Sequence, residues 1–152
     1  MMKIDDMLSQ YKYRIVFYIP YRLYVLCKES RDIKSIVKQE VDKNIPGKHS
    51  KSIQVKKIAE DFFLITIKVK EDAVYQQIKE MLANDKELLP PWTAFPDIFQ
   101  GCPRWNQGYE EDYCCNHWIP YWKNLSEKEK DTYCVKHKAP QEWLDWLSTS
   151  GL

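Results

Sequence analysis

The sequence predicts an α+β fold: a small antiparallel or mixed sheet with covering helices, in the order β-α-β-β-α, followed by a helical part rich in tryptophan and proline. Three observations predict it. The stretches "KSIQVKKIA" and "FFLITIKVK" alternate apolar and polar residues with the period of a half-buried strand. Two other stretches repeat apolar residues every three or four positions, the period of a helix with one buried face. The composition then changes after Leu89, because all six Trp and six of the eight Pro lie from Pro90 onward.

Taken in order, Tyr11 to Cys27 is dense in Tyr, Ile, Val, Phe and Leu and reads as strand, with Pro20 as a kink or edge position. Ser30 is placed to cap a helix from about Arg31 to Asn44, whose Ile33, Ile36, Val37 and Val41 share a face until "NIPG" stops it. The two alternating stretches follow as strands, with Glu60-Asp61 as the turn between them. Asp72 then caps a helix carrying Val74, Ile78, Met81 and Leu82 in one stripe.

The segment "PPWTAFPDIFQGCPRW" reads as ordered but irregular. A helix is expected after Asn106, kinked or restarted at Pro120, with Cys114, Trp118, Trp122 and Leu125 as its core stripe. Ser126 and Glu129 have the spacing of a capping box for a helix running to about His137. Pro140 opens a last helix that presents Trp143, Trp146 and Leu147 together. The chain is read as one domain over residues 1–152, with 1–89 as its α/β half and the irregular segment and helices of 90–152 packed on it.

The 152 residues, 44% hydrophobic and 30% charged, are those of an ordinary globular protein. Net charge is +1, so no global field draws the chain to nucleic acid or lipid. Lys and Arg outnumber Asp and Glu by 17 to 13 over residues 1–89, and fall behind by 6 to 9 over 90–152. The longest apolar run is broken by Arg14, Pro20 and Arg22, far short of the roughly twenty residues a spanning helix needs. "MMKIDDMLSQ" has no apolar core of a secretory signal, and the five Cys are an odd number. A cytoplasmic protein with reduced thiols is expected.

Cys114-x-x-His117 and Cys134-x-x-His137 repeat one spacing. Cys and His three apart on a helix share a face, so two such pairs could supply a Cys2His2 zinc site. The preferred reading is no metal and no cofactor, with core thiols and surface histidines, because no known finger spacing surrounds the pairs and Cys114 already belongs to the tryptophan stripe. Catalysis is not expected either. Cys115 with His117 or His137 is the one conceivable nucleophile and base, and neighbours along one helix point to different faces. The four Gly (47, 101, 108 and 151) are nowhere grouped into a phosphate loop.

Two features point to protein binding. Glu110, Glu111 and Asp112 form an acidic cluster in the first turn of a helix, where it would also complement the macrodipole. Trp92 and Trp105 lie in the irregular segment and are expected to stand partly exposed as aromatic anchors. The lysines of "KHSKSIQVKK" read as a solvated loop and protected edge strand rather than a nucleic-acid site.

"HWIPYWKNLSEKEKDTY" followed by "APQEWLDWL" resembles the C-terminal part of the immunity proteins of bacterial polymorphic, contact-delivered toxin systems, over roughly a third of the chain. The resemblance implies a cytosolic protein that binds and blocks one cognate toxin, commonly a nuclease; independently of it, a compact domain without a reactive constellation is expected to be a monomer that inhibits sterically. The alternative is a small zinc-binding or nucleic-acid-binding adaptor.

Overall fold

The computed structural model describes residues 11–28, 30, 32–97 and 108–152. It is an α+β protein whose chain falls into two compact units, 1–87 and 88–152, dividing where the composition changes.

In the first unit, strands β1 (Tyr13–Tyr18), β2 (Lys51–Ala59) and β3 (Phe62–Val69) form an antiparallel sheet in the order β1-β3-β2. Glu60 and Asp61 make the expected turn between β2 and β3. Tyr13, Ile15 and Phe17 oppose Val69, Ile67 and Ile65, which in turn oppose Lys51, Ile53 and Val55. Because side chains alternate across a strand, this register puts the apolar set of all three strands on one face. Helices α2 (Ile33–Asn44) and α3 (Asp72–Asn84) cover that face with buried Val37, Val41, Val74, Ile78 and Met81. Tyr13 meets the ring of Tyr75 at 5.4 Å.

The stretch read as one strand from Tyr11 to Cys27 is a strand and a helix. β1 ends at Tyr18, and α1 (Tyr21–Cys27) follows with Pro20 at its N-cap. Pro20 has the extended conformation that precedes a helix, and Leu23 and Cys27, four apart, are the buried side chains. Arg22, exposed on that helix, clamps three elements: its guanidinium grips both carboxylate oxygens of Asp85 at 2.6 and 3.0 Å and Glu40 at 2.9 Å. These bonds hold Arg22 firmly protonated.

Two caps also differ from expectation. Asp32, not Ser30, caps α2; its carboxylate accepts from the Ser35 amide and hydroxyl, while Ser30 Oγ accepts from the Asp32 amide. Asp72 is the first residue of α3 rather than its cap, where its charge still suits the helix start.

The second unit is built on aromatic rings. It contains α4 (Pro91–Ala94), α5 (Gly108–Tyr113), a π-helical turn (Cys114–Trp118), α6 (Ile119–Lys123), α7 (Glu127–Lys136) and α8 (Gln141–Thr149). Trp118 is fully buried, with Trp92, Trp122, Trp143 and Tyr133 around it at ring separations of 5.3 to 6.5 Å. Tyr113 and Tyr133 donate to the carbonyls of Leu89 and Leu88, each at 2.6 Å, and so tie the proline-rich stretch to the helices. Polar tips that find partners are what allow large aromatics to be buried.

A new α-helical piece, α6, starts at Ile119 with Pro120 in its first turn, the restart that the sequence allowed, and a widened turn precedes it. Ile119 donates to Cys114 five residues back, so the helix runs on through Pro120 without the clash a proline makes in a regular ladder. Ser126 and Glu129 form both bonds of the capping box.

Candidate functional site

The candidate ligand residues do not come together. Cys114 is buried in the π-helical turn, where burial pushes its thiol up to about 12. His117 is exposed, stacked on Tyr113 at 6.4 Å, with Asp112 3.7 Å from its Nε2. Cys134 lines a cleft between α7 and α8 with Leu144 and Leu147, and the His137 ring lies 4.4 Å from Tyr133. Among the described residues no three His, Cys, Asp or Glu converge as metal ligands. The geometry lends the zinc alternative at Cys114, His117, Cys134 and His137 no support: a π-helical turn has a different angular step, so the first Cys-x-x-His pair does not share a face as it would on a regular helix. The exposed thiol of Cys115 is raised above its ordinary range by desolvation and by Glu111, opposite to the activation a nucleophile needs.

The expected exposure of Trp92 is corrected. It is only 8% exposed, its indole donates to the His137 carbonyl at 2.9 Å, and its ring sits 5.4 Å from Trp143. A proline-rich stretch can be core when its rings have a cluster to join. Trp105 lies outside the described residues. The acidic cluster is where it was expected, with Glu110 and Glu111 in the first turn of α5 and all three carboxylates half-buried. Asp112 accepts from Asn116 at 2.9 Å, so local structure already engages it.

What the sequence reading passed over is the other face of the sheet. No helix of the first unit's buried stripe lies there, and the residues between those of the apolar set point outward. Three cross-strand rows result: Arg14, Lys68 and Ser52; Val16, Thr66 and Gln54; Tyr18, Leu64 and Lys56. Arg14, Gln54 and Lys56 are exposed, and Ser52, Leu64, Thr66 and Lys68 half-buried. Val16, in the middle row, is 45% exposed. In the first two rows Arg14, Val16 and Gln54 are exposed, with half-buried Ser52, Thr66 and Lys68 beside them, while in the third row Tyr18 is buried. The signal that could have found this face was the absence of acidic residues from all three strand sequences.

Among the described residues no helix is long and apolar enough to cross a membrane. No protein-family model, no curated protein and no solved structure matches the chain.

Proposed function

We propose that this protein is a protein-binding module that neutralises a cognate toxin by covering it, acting as a monomer in the cytoplasm. The observation that carries the binding reading is the open sheet face, where Val16 stays 45% exposed within rows of polar and cationic side chains. Covering Val16 would bury apolar area beside the polar and cationic rows, which is what a partner surface would gain there. The toxin as partner comes from the resemblance of the C-terminal third to immunity proteins. The sheet takes precedence over Glu110, Glu111 and Asp112 as the contact surface, because helix-start electrostatics and the Asn116 bond account for the acidic cluster.

Steric blocking asks nothing of the chain's own chemistry. A rigid sheet is well suited to it, since little order has to be imposed on binding. The test is growth. The reading frame adjacent to this gene is expressed alone and together with this chain, and the chain is expected to rescue growth through a one-to-one complex. Val16→Asp should remove the rescue while leaving the melting temperature within a few degrees. A neighbouring product that is harmless alone, or one that kills equally in the presence of the chain, would sink the toxin reading.

A further inference from the structure

The three strands contain Arg14, Lys51, Lys56, Lys57 and Lys68 and no aspartate or glutamate. The chain as a whole carries only +1. Positive charge is therefore concentrated on the sheet. Lys51 points to the helix side, where its ammonium pairs with Asp42. Arg14 and Lys68 point the other way, directly opposite each other in the register. None of the ion pairs among the described residues includes either of them. Two like charges directly opposite on an antiparallel pair repel and destabilise the sheet. A negatively charged group seated across them would offset that repulsion and gain attraction from both.

Resting on the binding-module reading, we propose that the open face takes an acidic protein surface, carboxylates meeting Arg14 and Lys68 and an apolar side chain covering Val16. Exposed Val16 favours protein over nucleic acid. Single strands bind to sheets by stacking bases on exposed aromatic rings. The one aromatic in the outward rows, Tyr18, is 8% exposed, and its ring lies flat on Phe62 at 5.6 Å. The same rows supply Thr66 and Gln54 as donors beside Val16, which suits carboxylates and backbone carbonyls at an interface.

The full chain is titrated with a short polyglutamate peptide and, separately, with an oligothymidylate strand of matched charge, both at low salt. The peptide is expected to bind, and the Arg14→Glu/Lys68→Glu double variant to bind it at least about tenfold more weakly. Binding should also fall with added salt. A Lys38→Glu/Lys48→Glu variant, which alters the separate basic groove beside Gly47 and His49, should bind as the parent does. The single Arg14→Glu variant removes misfolding as an explanation, because it creates an opposite-charge pair with Lys68 and should melt higher while binding more weakly. Peptide affinity unchanged by the double variant would overturn the proposal. So would tighter binding of the oligothymidylate through the same two residues, which would make nucleic acid the occupant. Growth protection that survives Arg14→Glu/Lys68→Glu would remove this face as an acid receptor and leave the toxin reading standing. Peptide binding that depends on Arg14 and Lys68 without any growth protection supports the face and removes only the toxin.

Discussion

Arg14 and Lys68 face each other across β1 and β3, two cations in one antiparallel register pair on the open side of the sheet. Nothing in the folding of the strands requires both charges, since Thr or Gln would suit the same positions. Replacing either by Gln should therefore raise stability by about 0.2–1 kcal/mol. The gain should shrink as salt screens the pair. Denaturant midpoints at low and high ionic strength check both statements, and a loss of stability at low salt would mean that the two cations are supported by groups other than each other.

A second departure from local preference sits at the end of α7. Lys138 has φ 52°, in the left-handed region, while the amide of Ala139 donates to Cys134 at 3.0 Å and that of Lys138 to Val135 at 3.3 Å. This is the Schellman pattern, whose left-handed position is usually glycine. Lys138→Gly should stabilise by about 0.5–1 kcal/mol, because a side chain at this φ is strained. Lys138→Val should destabilise by a similar or larger amount, and thermal melts of the two variants should move in opposite directions.

These positions also mark how far the sequence could be read. Strands β2 and β3, their turn and the stripes of α2 and α3 were legible because each rests on periodicity within a few residues. The Ser126-Glu129 box was legible for the same reason, being a motif closed within four residues. The helix from Tyr21 to Cys27 was not, since "YRLYVLC" holds Tyr and Val that suit either state and Pro20 suits both a strand edge and a helix start. Trp92 was misplaced because exposure was inferred from neighbouring prolines, whereas its burial depends on Trp118, Trp143 and the His137 carbonyl, all distant in sequence. The opposition of Arg14 and Lys68 was invisible for the same reason: register between strands is a long-range fact.

The aromatic core distinguishes two tryptophans that the sequence could only place on one stripe. Trp118 donates its indole proton to the Tyr133 hydroxyl at 3.1 Å, and that hydroxyl donates onward to Leu88. Trp122 is equally buried, but its Nε1 has no hydrogen-bond partner among the described residues, and Lys130 lies 5.5 Å over its ring. Trp118→Phe should lose about 2–3 kcal/mol, from the lost bond and the space left behind. Trp122→Phe should lose about 1 kcal/mol less, because it also removes a buried donor that forgoes water. Equal losses in chemical denaturation would mean that the Trp122 indole is solvated after all.

The thiols set the last expectation. Burial holds Cys114 at about 12 and Cys27 at about 11, and raises Cys134 as well. A folded-state value above the unfolded one means that folding favours the neutral thiol. That contribution is fully present below the unfolded value of about 8.5 and is lost as pH rises through the folded values. Melting temperature should therefore fall between about pH 9 and 12, and Cys114→Ala should flatten part of the fall, leaving the share due to other groups. The acid limb has the opposite sign. Asp32 and Glu129 are lowered, each chiefly by hydrogen bonds from its cap partner, Ser35 and Ser126 respectively, so their contribution is present above ordinary carboxylate values and is lost as pH falls through the folded ones. At neutral pH the same geometry orders the reactivity of the four thiols among the described residues: of these, a maleimide should label exposed Cys115 first and half-buried Cys134 more slowly, and reach Cys27 and Cys114 only on unfolding. Peptide mapping after timed labelling reads that order directly, and early modification of Cys114 in native protein would contradict its burial in the π-helical turn.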